Sequence, residues 1–157
     1  SSTLFLVYIF LNKKVPRFIE LFKYMTTICV TITFLVVLFI LSPMYGFNYI
    51  HMFFYNELLF HHLLCPILSF ITLVYFDDIG IINKKDTLIG LSLTLIYAVI
   101  LVILNIFNVV IGPYPFLMIY NQSMYVSIIW FILIFSLVYL ISYMIRRLYN
   151  KRRSEIW

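Results

Sequence analysis

The chain has 157 residues, of which 64% are hydrophobic and 11% are charged, and its mean hydropathy is +1.06. Soluble domains usually contain about 25% charged residues, so this composition excludes a soluble globular domain and predicts an integral membrane protein. Basic segments beside membrane helices, where they meet anionic lipid headgroups, account for the formal net charge of +5, which therefore does not indicate a nucleic-acid partner.

Four hydrophobic stretches of membrane-spanning length follow one another along the chain. Since a chain in lipid must satisfy its own backbone hydrogen bonds, we predict an all-α membrane protein. The complete transmembrane helices are expected at about residues 24–41, 57–76, 87–110 and 124–145. A shorter apolar segment at about residues 1–11 is interpreted as a truncated N-terminal helix. No linker or repeat divides residues 1–157, which predicts a single polytopic membrane domain.

The eleven Lys and Arg residues form three clusters that alternate with these helices. They precede the first helix (Lys13, Lys14, Arg17, Lys23), separate the second and third (Lys84, Lys85) and follow the fourth (Arg146, Arg147, Lys151, Arg152, Arg153). The connections 42–56 and 111–122 contain none. Threading the helices across a bilayer puts all three clusters and the C terminus on one face, which the positive-inside rule predicts to be cytoplasmic. The charged loop 77–86 is then expected to be a solvated turn.

Ionisable residues inside membrane helices are functional candidates, because each costs roughly 2.5–3.5 kcal/mol to insert. The second helix carries Glu57, His61 and His62 in its first two turns. Glu57 and His61 share a helix face, so the carboxylate could orient an imidazole that acts as a general base. Hydration at the headgroup boundary is the competing interpretation. Pro66 frees the carbonyl of His62 and kinks the helix beside the imidazole pair.

Other polar residues fall on the side opposite the basic clusters. Asn105 and Asn108 share a face of the third helix, where they bind either a substrate or a neighbouring helix. The segment Gly112-Pro113-Tyr114-Pro115-Phe116 predicts a cap, as a rigid lid or as part of an interfacial aromatic belt. The outer half thus collects Asn56, Glu57, His61, His62, Asn105, Asn108, Tyr114, Asn121 and Gln122. We therefore predict a polar pocket that opens from the outer leaflet.

Three sequence motifs resemble a known membrane family. The run Leu59-Phe60-His61-His62-Leu63-Leu64-Cys65-Pro66-Ile67-Leu68 resembles the His-to-Pro helix of the androgen-induced-protein-like family and its bacterial relatives. Thr33-Phe34-Leu35-Val36-Val37 with Ser42-Pro43 is similar to the helix before it, and Tyr114-Pro115-Phe116 to the family's Tyr-Pro-Phe. The resemblance spans about residues 23–116. It implies six spans, with the N-terminal part missing here, in the plasma membrane of a bacterium.

The resemblance also implies an activity. Animal members of the family hydrolyse fatty acid esters of hydroxy fatty acids, using a Thr on an early helix and a His just ahead of this proline. The expected function is therefore a lipid-ester hydrolase with His61 or His62 as general base, and acyl transfer of this kind needs no metal or organic cofactor. Thr26 matches the family's threonine site locally. On the predicted topology it lies on the order of 20 Å from His61, far beyond hydrogen-bond reach. The nucleophile is then expected on the truncated first helix, at or upstream of Ser1, where Ser1, Ser2 and Thr3 are the hydroxyls present and Thr3 is the visible candidate.

An alternative from a different class is a non-enzymatic structural subunit of a larger membrane complex. Helices with few polar residues are typical of such packing subunits. The expected partners are membrane lipid in the first case and other membrane subunits in the second. A small transporter is a third interpretation, although we identify no paired broken helices of the kind that mark transporter substrate sites.

Overall fold

A computed structural model describes residues 2–11, 14–110, 114 and 117–156. Within these ranges the chain is helical and contains no strand. The helices are α1 (Ser2–Phe10), α2 (Arg17–Met44), α3 (Tyr49–Phe54), α4 (Leu59–Phe76), α5 (Lys84–Ile106) and α6 (Met124–Ile156), with a 3-10 turn at Ile119–Asn121. Four of them, α2, α4, α5 and α6, are long and apolar enough to cross a membrane. The all-α architecture with four helices of membrane-spanning length is thereby confirmed.

The helix boundaries follow local capping signals that hydropathy does not detect. α2 begins at Arg17, directly after Pro16, whose φ of −65° suits the entry to a helix. α5 begins at Lys84, because Asn83 and Asp86 form a reciprocal capping box there. α5 ends at Ile106, earlier than expected, and Asn108 after it has a left-handed φ of +53°. The first residues of α2 and α5 are charged, so both helices begin before the hydrophobic stretches that were used to predict them.

Wider helical turns precede the prolines inside α2 and α4. Val37–Leu41 and Leu59–Leu64 are π-helical, and the next N–H in each case, of Ser42 or Cys65, bonds the carbonyl five residues back. Pro43 and Pro66 follow directly. A proline ring in a regular helix clashes with the carbonyl four residues earlier, and the wider turn moves that carbonyl away. α2 therefore continues through Pro43 to Met44 instead of ending at the Ser42-Pro43 pair.

α2 packs against α4, α5 and α6. Polar contacts also link α2, α5 and α6 to one another. A Cβ atom on Gly90 of α5 would lie 2.6 Å from Ile28 Cδ1 and 2.8 Å from Ser142 Oγ, so the helices approach closely there. The Tyr24 hydroxyl donates to the Ser142 carbonyl at 2.6 Å. Ser142 Oγ in turn donates to the Thr87 carbonyl at 2.9 Å. These contacts hold α2, α5 and α6 together.

One end of the bundle, called here the basic end, contains the start of α2, the loop 77–83 and the last turns of α6. Lys23 and Asp77 form an ion pair there, and each is buried. Burial raises the pKa of the Asp77 carboxyl, and the Lys23 ammonium opposes that shift. Lys23 Nζ also lies 4.6 Å from the centre of the Phe5 ring, which places α1 beside the first turns of α2.

The loop 77–83 is only partly the solvated turn expected from its charges, because Asp78 and Ile81 are exposed whereas Ile79 and Ile82 are buried. The Tyr149 hydroxyl accepts from the Ile79 N–H at 2.9 Å and donates to the Ile79 carbonyl. Asn150 makes a matching pair of bonds to Ile82, accepting from its N–H at 3.2 Å and donating to its carbonyl at 2.7 Å. Tyr149 and Asn150 both belong to α6, which continues to Ile156, well past the end expected near residue 145.

Candidate functional site

A cavity of about 510 Å³ lies between α2, α5 and α6, in the half of the bundle farther from the basic end. Its walls are almost entirely apolar, with Val36 from α2, Ala98 from α5, and Trp130 and Phe131 from α6 among the lining residues. Sites for small organic ligands usually have volumes of about 300–1,000 Å³. The cavity therefore has the size and surface of a site for a hydrocarbon group.

A few hydroxyl groups interrupt this apolar surface. Tyr114 and Ser127 line the cavity from the connection before α6 and from its first turn. Burial and the neighbouring Tyr97 raise the pKa of the Tyr114 hydroxyl, while a hydrogen bond with Thr33 lowers it. Ser127 Oγ accepts from Gln122 Nε2 at 2.9 Å. Tyr114 and Ser127 are thus hydroxyl-bearing residues in a lining that is otherwise almost entirely apolar.

Asn105, expected to bind substrate, instead fixes the connection that carries Tyr114. Its Nδ2 donates to the Val110 carbonyl at 3.2 Å, and its Oδ1 accepts from the Ile119 N–H at 3.2 Å. The residue is buried and is not among those that line the cavity. Asn108 is exposed just beyond α5. Of the proposed cap at residues 112–116, Tyr114 is described and the other four residues lie outside the described ranges.

The two histidines lie on the π-helical start of α4, and neither lines the cavity. His61 is exposed, whereas His62 is partly buried beneath α3. His62 Nδ1 lies 2.8 Å from the Met52 carbonyl. Since a carbonyl can only accept, Nδ1 carries a proton, and in the neutral imidazole the lone pair is therefore on Nε2. His62 is thus held in a tautomer that can act as a general base.

Glu57 and Thr3 do not join the histidines. Glu57 is exposed in the connection before α4, where its backbone carbonyl accepts from the His61 N–H at 3.2 Å. Thr3 is exposed on α1, close to Phe5 and hence near the basic end rather than on the opposite side. His61 lies at the far end of α4 from Asp77, roughly 24 Å away at 1.5 Å per residue. A nucleophile and its base need contact at about 3 Å, so this arrangement does not bring Thr3 and the imidazoles together.

His61, His62 and Asn105 do not line this apolar cavity, so the polar pocket expected from the sequence stays a prediction. Tyr114 is the one lining residue that was expected, while Thr33 and Ser127 were missed because single hydroxyls on apolar helices carry no distinguishing pattern. Within the described residues, no three His, Cys, Asp or Glu side chains converge to hold a metal ion.

Comparison with known proteins leaves the family resemblance resting on its motifs alone. No protein-family model, curated protein or solved structure matches this chain significantly.

Proposed function

We propose that this chain is a multi-pass membrane protein that binds the hydrocarbon chain of a lipid in the cavity between α2, α5 and α6. The observation that carries the proposal is a space of about 510 Å³ with an almost wholly apolar lining. Apolar contact stabilises a hydrocarbon ligand by about 25 cal/mol per Å² removed from water. A polar ligand would lose its hydration there without gaining enough partners. The hydroxyls of Tyr114 and Ser127 would bond an ester or alcohol group at one end of the chain.

The proposed location is the plasma membrane of a bacterium, with the basic end in the cytoplasm. The support is the positive-inside rule, since the three basic clusters lie at one end of the bundle. The cavity would then open in the outer half of the membrane, within reach of lipids of the outer leaflet.

Filling the cavity tests this proposal. Ala98→Phe places an aromatic ring in the cavity, whereas Val99→Phe adds the same ring at an exposed neighbouring position that does not line it. Protein in lipid nanodiscs is labelled with a photoactivatable fatty-acyl ester, and the adducts are counted by mass spectrometry. We expect Ala98→Phe to reduce labelling of cavity peptides at least about fivefold, since overpacking costs about 1–3 kcal/mol.

Val99→Phe should label like the wild type, and thermal melting identifies any variant that fails to fold. Equal labelling of all three proteins would contradict the lipid-binding role. It would favour the alternative class, a non-enzymatic structural subunit of a larger membrane complex, whose signature is a membrane partner that copurifies with the chain.

Lipid-ester hydrolysis is a second candidate function, favoured by the bond between His62 and the Met52 carbonyl. In this scheme Nε2 takes the proton of the attacking nucleophile as the ester carbonyl is attacked, and returns it to the departing alkoxide. His62 does not line the cavity, so the ester would be bound on the side of α2 that faces α3 and α4. The nucleophile would be water, or a hydroxyl other than that of Thr3, whose acyl ester is then hydrolysed by water to release the fatty acid.

The two histidines provide a matched pair for testing hydrolysis. His62→Ala should lower cleavage of a fatty-acyl ester about 10²–10⁴-fold, the usual contribution of a general base. His61→Ala should have little effect, because His61 is exposed. Turnover is measured in nanodiscs by release of the free fatty acid. Unchanged turnover in both variants would show that neither histidine is the general base, and would contradict the proposed ester hydrolysis.

A further inference from the structure

We propose a second lipid site at the basic end, which binds the phosphate group of an anionic phospholipid. An open depression of about 750 Å³ lies between the start of α5 and the last turns of α6. Four basic side chains line it: Lys84, Arg146, Arg147 and Lys151. The proposal goes beyond the hydrocarbon cavity, which lies in the other half of the bundle and shares no lining residue with this depression.

The basic residues at this end differ in how they are neutralised. Three pair with carboxylates: Arg17 with Glu20 at 2.9 Å and Asp86 at 2.5 Å, Lys23 with Asp77, and Arg153 with Asp78 at 2.9 Å. Among the described residues, no carboxylate lies within ion-pair distance of Lys84, Arg146 or Arg147. Lys151 reaches Glu155 at 3.8 Å, with both side chains exposed. Three of the four basic side chains in the depression therefore have no carboxylate partner among the described residues, which leaves their charge for an external anion.

Local contacts hold the depression in shape. Arg147 Nε donates to the Tyr143 hydroxyl at 2.8 Å. The guanidinium groups of Arg146 and Arg147 lie 5.1 Å and 5.2 Å from the centre of the Tyr143 ring. With Nε occupied, the terminal nitrogens of Arg147 remain to bind oxygen atoms in the paired geometry that suits phosphate. Asn150 and Ile82, which also line the depression, are joined by two hydrogen bonds.

The position of the depression favours a lipid as the source of the phosphate. Lys84 begins α5, and Arg146 follows the last apolar turns of α6, so the depression lies where hydrocarbon would give way to headgroups. Ile82 and Leu148 also line it and offer apolar contact beside the charges. Each Lys or Arg near an anionic membrane surface contributes about 1 kcal/mol to the attraction. Four such residues in one depression favour an anionic headgroup over a zwitterionic one.

Lipid titration monitored by native mass spectrometry tests this site. Purified protein receives phosphatidylglycerol or phosphatidylcholine with identical acyl chains, and the bound lipid is counted. Lys84→Gln with Arg147→Gln removes two charges from the depression. Lys14→Gln with Lys85→Gln removes two charges from exposed positions that do not line it. We expect the wild type to prefer phosphatidylglycerol, and the first variant to bind it about 30-fold more weakly.

The control variant should stay within about threefold of the wild type, because diffuse attraction is screened at physiological ionic strength. Equal loss in both double variants would overturn the site, since net charge alone would explain it. Full displacement of bound phosphatidylglycerol by millimolar inorganic phosphate would show that the site binds free phosphate and not a lipid headgroup. Lys84→Gln alone serves if the double variant fails to fold. Val99→Phe, at an exposed position that lines neither the cavity nor the depression, should leave this binding unchanged.

Discussion

Lys23 and Asp77 pair with side chains that are 3% and 9% exposed. Removing two charges from water costs several kcal/mol per ion, and their attraction offsets that cost while both partners remain. The Phe5 ring adds a cation–π contact to the ammonium. Because Lys23 belongs to α2, Phe5 to α1 and Asp77 to the loop after α4, this pair ties three segments of the chain together.

A double-mutant cycle measures how strongly the pair is coupled. Lys23→Met or Asp77→Leu alone should lower the free energy of unfolding by about 3–5 kcal/mol, since each leaves an uncompensated buried charge. The double variant Lys23→Met/Asp77→Leu should recover most of that loss, because no buried charge remains. Unfolding is followed by circular dichroism in detergent micelles titrated with denaturant. Additive effects of the two substitutions would show that the charges do not interact.

At the scale of helices, hydropathy predicts the number and approximate position of the long elements but not their ends. α6 shows why: the charge of Arg146 and Arg147 suggests that the helix has left the membrane and stopped. The helix continues because Tyr149 and Asn150 bind the loop 77–83, a contact between segments about 70 residues apart. The residues around position 145 do not indicate that α6 contacts the loop 77–83. The contribution of this contact to the length of α6 therefore cannot be predicted from the local sequence.

The candidate site was harder to predict than the helices, for a geometric reason. A cavity is a gap between faces, and its position depends on where those faces touch. α5 meets α2 and α6 closely at Gly90, where a Cβ atom would collide with Ile28 and Ser142. The cavity begins just beyond this contact, at Cys29 on α2 and Leu93 on α5. The sequence identifies the polar residues, but it does not show where the cavity lies. It therefore cannot predict that Tyr114 lines the cavity, whereas Asn105 holds the connection that carries Tyr114.

At the scale of the whole molecule, the bundle is polarised by charge. The described residues of the three basic clusters lie at the start of α2, the start of α5 and the end of α6, which folding brings to one end. No Lys or Arg occurs in the connections 42–56 and 111–122 at the other end. The hydrocarbon cavity lies towards that end, called here the opposite end, and the phosphate site at the basic end. A single protein would thus contact lipids of both leaflets through different chemistry.

Cysteine labelling in intact cells tests this orientation. In a background with Cys29→Ala and Cys65→Ala, which removes both native thiols, one cysteine is introduced at a time. Asn121→Cys lies at the opposite end and Lys85→Cys at the basic end, and both positions are exposed. A membrane-impermeant maleimide should label Asn121→Cys in intact cells and Lys85→Cys after permeabilisation, since basic segments stay in the cytoplasm. The reverse labelling pattern would show that the protein has the opposite orientation in the membrane, with the phosphate site on the extracellular side. Labelling of both positions in intact cells would mean that the four helices do not cross the membrane in one orientation.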